Sequence, residues 1–142
     1  MIGGQAVDVE LSGKPVPREK LDFIYRLKTG ALLEASMMIG AVLGGAEESE
    51  LKLVEKTASC VGLAFQIQDD ILDVEGDAET LGKPIGSDVQ NDKATYVTLL
   101  GLAQSKETVR SLTQQAKQAL APFGEKAGFL CMLADSMAFR QK

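Results

Sequence analysis

Apolar residues recur at intervals of three and four through most of the sequence, the period of one buried face of an α-helix. Residues 1–11 read as the end of a helix, with Gln5 and Asp8 one turn apart on the same side. Ser12-Gly13-Lys14-Pro15 makes a turn, and Pro17 suits the first position of a second helix. That helix runs to about Leu43, and Leu21, Ile24, Ala31, Leu32, Ala35, Met38, Ile39 and Val42 form its apolar stripe. Gly40 and Gly44 would admit a closely packed neighbour, and Thr29-Gly30 is a weak point where the helix could kink. Gly44-Gly45 ends it, and Glu47, Glu48 and Glu50 favour the start of a third helix reaching about Glu75. Residues 76–92 lose the periodicity and read as a long loop, functional or disordered. Helices resume over 95–103, 106–121 and 125–140, with breaks at Ser105 and at Pro122-Phe123-Gly124.

This pattern, in a chain of 142 residues with 5% aromatics and no Trp, predicts one all-α domain. A net charge of −5 argues against nucleic acid as a partner. The absence of histidine excludes His-based acid–base catalysis and most zinc sites. Cys60 and Cys131 stand singly in apolar helical patterns, as reduced core residues of a cytoplasmic protein would. The most apolar window, residues 30–46, contains Glu34 and five glycines or serines, too short and broken for a membrane span. Met1-Ile2-Gly3-Gly4-Gln5 has neither the basic start of a secretory signal nor a helix cap, so the chain looks cut at that helix.

Within the third helix, Gln66, Asp69, Asp70 and Asp73 fall on one narrow face of a run that is otherwise mostly apolar and looks buried nearly all round. Like charges at i,i+4 repel by about 0.2–0.5 kcal/mol even when exposed, and burial adds to that. Asp73 also lies in the last turn, where the helix dipole disfavours an anion. A structural role explains such a stripe poorly, whereas a hard divalent cation would neutralise it. Magnesium takes only one or two carboxylates and keeps waters or phosphates, which these helix aspartates could serve without forming a closed cage. Lys28 falls inside the apolar stripe of the second helix, so it either snorkels to solvent or meets an anion. Lys28, Lys83 and Lys93 could neutralise a polyphosphate as point charges. Aspartates and lysines with no nucleophile suit the removal of a diphosphate leaving group by electrostatics.

The ordered set Gly4-Gln5 with Asp8, Lys28-Thr29-Gly30, Phe65-Gln66-Ile67-Gln68-Asp69-Asp70-Ile71-Leu72-Asp73, Gly82-Lys83 and Gly86-Ser87-Asp88 with Lys93-Ala94-Thr95-Tyr96 resembles the trans-polyprenyl diphosphate synthases. Within that family it is most similar to the bacterial farnesyl and geranylgeranyl diphosphate synthases. The resemblance implies a helical bundle around a central cavity, with two facing aspartate-rich motifs. It implies that Asp69, Asp70 and Asp73 are the second motif, binding Mg²⁺ that bridges to an allylic diphosphate, geranyl or dimethylallyl. Lys28, Lys83 and Lys93 would hold that diphosphate, Thr29 and Gln66 would line the pocket near the reacting carbons, and Gln5 and Asp8 would sit beside it. Asp69, Asp70 and Lys28 would carry the catalysis of condensation with isopentenyl diphosphate. The family's first aspartate-rich motif and its isopentenyl diphosphate site lie upstream of the Gly-Gln helix. Residues 1–142 therefore resemble one incomplete domain, the C-terminal half of a synthase, expected to be inactive alone and to self-associate or to need an N-terminal half. A non-catalytic helical module that binds Mg²⁺–diphosphate, or only mediates assembly, is the alternative.

Overall fold

The computed structural model describes residues 1–75 and 93–140. The expected loop at 76–92, and with it Lys83 and Gly86-Ser87-Asp88, lies outside the described residues. Every regular element among those described is helical: α1 (Ile2–Glu10), α2 (Arg18–Tyr25), a π turn (Arg26–Gly30), α3 (Ala31–Leu43), α4 (Glu48–Glu75), α5 (Tyr96–Leu100), α6 (Leu102–Leu120), a 3₁₀ segment (Ala121–Ala127) and α7 (Gly128–Ala138). The all-α expectation is met.

The 28-residue α4 is the central element, packed along α6 and against α3, α7 and the π turn. Ala64, Ile67 and Ile71 of α4 share a core with Leu21, Ile24 and Tyr25 of α2, with Tyr96, and with Val109 of α6. Its start is closed locally, since the Glu50 carboxylate accepts the Glu47 N–H at 2.8 Å. Gly45, at φ +78°, turns the chain out of α3 in the left-handed conformation that a Cβ would strain. Thr95 and Thr98 cap α5 reciprocally, each side chain accepting the other's backbone N–H.

The weak point at Thr29-Gly30 is the end of the π turn, which divides the expected second helix into α2 and α3. Two glycines hold this turn. A Cβ on Gly4 would come within 2.6 Å of the Leu27 carbonyl carbon and the Lys28 nitrogen, and one on Gly62 within 3.1 Å of the Gly30 Cα. The backbones of α1 and α4 thus close on the turn from two sides, which only glycine permits.

Four expectations need correction. A Cβ on Gly40 would meet no packed neighbour within 4 Å among the described residues, and the close packing falls to Gly4, Gly30 and Gly62 instead. The stripe of the second helix is buried only in its first part, at Leu21 and Ile24; Leu32, Ile39 and Val42 are more than half exposed, because no described element covers that side of α3. The break expected at Ser105 lies at Gly101, at φ +80°, while the Ser105 hydroxyl folds back onto the Gly101 carbonyl at 2.9 Å. Cys60 and Cys131 are half-buried rather than core residues, and both are free.

We expect Gly62→Ala to destabilise the fold by about 1–3 kcal/mol, because the new methyl would meet backbone that cannot rotate away, and Gly4→Ala to do the same at α1. Urea unfolding followed by circular dichroism measures both, and Gly40→Ala, in open space, should cost nothing.

Candidate functional site

The helix–π turn–helix segment, α1, α4 and the residues leading into α5 converge on a cavity of about 130 Å³. It is lined by Asp8, Ile24, Tyr25, Lys28, Gln66, Asp69, Asp70 and Lys93. Six of the residues singled out in the sequence therefore meet at one place. The π turn carries Lys28 toward α1, where its Nζ donates to Asp8 Oδ2 at 2.7 Å. Of the two options open for Lys28, the anion is the one realised, and it is supplied by the protein itself.

A second cavity, of about 620 Å³ and mainly apolar, lies beside the first and is lined by Ile2, Gln5, Val9, Lys28, Thr29 and Leu32 among others. Gln5 and Thr29 belong to this one, not to the polar pocket, and Lys28 borders both. Gln66 stays with the aspartates, its Nε2 3.5 Å from Asp69 Oδ2.

The aspartate stripe is divided by burial. Asp70 is 5% exposed, and its Oδ2 accepts both the Tyr25 hydroxyl at 2.6 Å and the Tyr96 N–H at 2.9 Å. This one oxygen joins α2, α4 and the first turn of α5. Asp73 is 1% exposed and is not among the residues lining the polar cavity. Asp69 is the half-exposed member, its side chain 45% accessible. Arg140, just beyond α7, donates to its Oδ1. Among the described residues, no group of three carboxylates or thiolates is arranged to hold a metal ion.

Tyr25, Tyr96 and Arg140 are the site residues that sequence reasoning left without a role. The signal for Tyr25 was its place one turn before Lys28 on the buried face of α2. Arg140 offered none, because its contacts with α4 join residues 71 and 75 positions apart. Tyr96 is tied at its other end as well, its hydroxyl donating to Asp22, and its ring lies 5.7 Å from that of Tyr25. Burial and the Asp22 carboxylate hold the Tyr96 hydroxyl well above its ordinary pKa, with Arg18 opposing.

The model of the family described as polyprenyl synthetase matches residues 1–126. The chain is 45% identical to farnesyl diphosphate synthase of Escherichia coli, covering all of this chain and 49% of that protein. It is also 45% identical to the chloroplastic geranylgeranyl pyrophosphate synthase of Capsicum annuum, covering 99% and 38%. Among solved structures, it superposes with a TM-score of 0.79 and 31% identity on a geranyltransferase from Helicobacter pylori complexed with magnesium and isoprenyl diphosphate, over 96% of this chain and 45% of that one. A heptaprenyl diphosphate synthase from Staphylococcus aureus shares the fold, at a TM-score of 0.93 and 19% identity. The chain spans about half the length of the relatives it matches.

Since the raised pKa of Tyr96 means that the folded state binds its phenolic proton more tightly, the Tyr96 contribution to stability should be constant below about pH 10, the unfolded value. It should fall as the pH rises further toward the folded value. Tyr96→Phe should flatten that alkaline limb in urea melts.

Proposed function

Because the chain belongs to the polyprenyl synthetase family, we propose that it carries half of the active site of a magnesium-dependent prenyltransferase. The reaction is the condensation of isopentenyl diphosphate with an allylic diphosphate, geranyl or dimethylallyl, to farnesyl or geranylgeranyl diphosphate. Residues 1–142 are read as a single incomplete domain, the C-terminal half of the enzyme. The observation that carries this reading is the convergence of Asp8, Lys28, Gln66, Asp69, Asp70 and Lys93 on one polar cavity that adjoins an apolar one.

The donor set fits magnesium as an ion that takes few carboxylates and leaves room for water and phosphate oxygens. Asp69 is the carboxylate best placed for it; Asp70 and Asp73, proposed with it from the family motif, are buried. When bound, the metal would neutralise the diphosphate and make it a better leaving group. Lys28 and Lys93 supply further positive charge at the same cavity, and Lys83 is proposed with them. The apolar cavity at Gln5, Thr29 and Leu32 suits the hydrocarbon tail, and Lys28 stands at the junction where head and tail would part. Loss of diphosphate leaves an allylic cation; the isopentenyl double bond attacks it, and a proton then passes to the diphosphate. Among the described residues no helix is long and apolar enough to cross a membrane, and the two free cysteines fit the cytoplasm we propose for it.

Calorimetry tests the site. Inorganic pyrophosphate with Mg²⁺ should bind the chain; Asp69→Ala should abolish this, and Lys28→Ala should weaken it about tenfold, the worth of one charge-assisted hydrogen bond. Co-expression with a helical half bearing an Asp-Asp-rich motif should restore farnesyl diphosphate synthesis, and failure with every such partner would refute the half-site reading. Arg140's hold on Asp69 favours the second reading, a non-catalytic module that binds Mg²⁺–diphosphate or only mediates assembly; in the assembly-only form no pyrophosphate binding is expected.

The exposed Ile2, Val9, Leu32, Ile39, Val42 and Leu43 leave α1 and α3 with an uncovered apolar face. We expect self-association by size-exclusion chromatography, and a concentration-independent monomer would count against it.

A further inference from the structure

Arg140 is held at Asp69 by more than charge. Its guanidinium lies 3.8 Å above the Phe65 ring. Nη1 donates to the Met137 carbonyl at 2.9 Å, and Nη2 lies 3.5 Å from the Phe65 carbonyl besides donating to Asp69. The backbone behind it is pinned too, since Gln68 Nε2 donates to the Arg140 carbonyl at 3.1 Å. The Arg140 side chain is only 17% exposed, so this is a built contact and not a surface pairing.

Its effect on the cavity is a matter of charge. The described lining holds Asp8, Asp69 and Asp70 against Lys28 and Lys93, and Arg140 on Asp69 brings the formal balance to three against three. A divalent cation arriving alone would enter a site without net negative charge, beside a guanidinium that already occupies the carboxylate it needs. A diphosphate arriving with the cation reverses the sign, because its oxygens offset both the metal and the freed guanidinium.

We propose that Arg140 is a positioning residue whose charge makes cation entry at Asp69 conditional on a diphosphate. This rests on the magnesium–diphosphate reading of the cavity. The coupling is reciprocal, so the pyrophosphate affinity must rise with Mg²⁺ by the same factor as the Mg²⁺ affinity rises with pyrophosphate.

The test is calorimetric titration of the full chain with Mg²⁺ alone, and again with saturating inorganic pyrophosphate. Arg140→Gln should bind Mg²⁺ alone about threefold to fivefold more tightly than the parent chain, the range of a partly exposed ion pair. Its affinity in pyrophosphate should change less than twofold, so that the coupling factor shrinks. Arg140→Lys should restore the parent behaviour, which a loss of packing alone would not predict. If Arg140→Gln loses its helical circular dichroism, Phe65→Leu keeps the charge but removes its platform and should shift Mg²⁺ binding in the same direction. Equal or weaker Mg²⁺ binding by Arg140→Gln, with pyrophosphate binding intact, overturns the role of Arg140 and leaves the site standing. Absence of Mg²⁺ binding in every variant, with or without pyrophosphate, overturns both.

Discussion

The close approach of three backbones at the π turn is the constraint on which the site depends. Gly4 lets α1 rest on Leu27 and Lys28, and Gly62 lets α4 rest on Gly30. A side chain at either position would meet backbone at 2.6 Å or 3.1 Å and force its helix away from the turn. Asp8 lies one turn along α1 from Gly4, and Gln66 and Asp69 lie one and two turns along α4 from Gly62. The 2.7 Å contact between Lys28 and Asp8 is thus a product of glycine packing as much as of charge.

Within the aspartate stripe, burial decides what each carboxylate can do. Asp70 accepts a phenol and a backbone amide on one oxygen and lies among Tyr25, Ile24 and Tyr96. Removing it would take the acceptor from two buried donors, at about 1–3 kcal/mol each. Asp69, half-exposed, makes its pairings at the rim of the cavity and can exchange them. The stripe therefore contains both a buried carboxylate that ties three elements together and a half-exposed one at the cavity, one residue apart. An i,i+1 pair on a helix points 100° apart, enough for one carboxylate to enter the core while its neighbour stays at the pocket.

The helices and the convergence of Asp69, Asp70 and Gln66 could be read from the sequence because carboxylates in an apolar helical run stand out against their background. The position of Lys28 was legible in the same way, as a charge within a stripe. Its partner was not, since periodicity reports the face of a residue and not the element across from it. The same gap explains Gly40, which sits on an apolar stripe that nothing described covers, and Gly62, whose role is set by a helix more than thirty residues earlier. Arg140 escaped entirely, because its contact with Asp69 joins residues 71 positions apart that are brought together only by the packing of α7 on α4. Ser105 was misread for a local reason. Its hydroxyl satisfies a carbonyl of its own helix, which looks in sequence like a breaker and acts in the structure as part of the first turn.

The hydrogen bond from the Tyr96 amide to Asp70 joins residues 26 positions apart, and it spans the whole stretch between α4 and α5. The two ends of that stretch are fastened to the same helix, one by the peptide chain and the other by a buried oxygen. The residues at that fastening, Asp70, Tyr25 and Tyr96, should therefore tolerate little change, because the start of α5 is held to α4 through them.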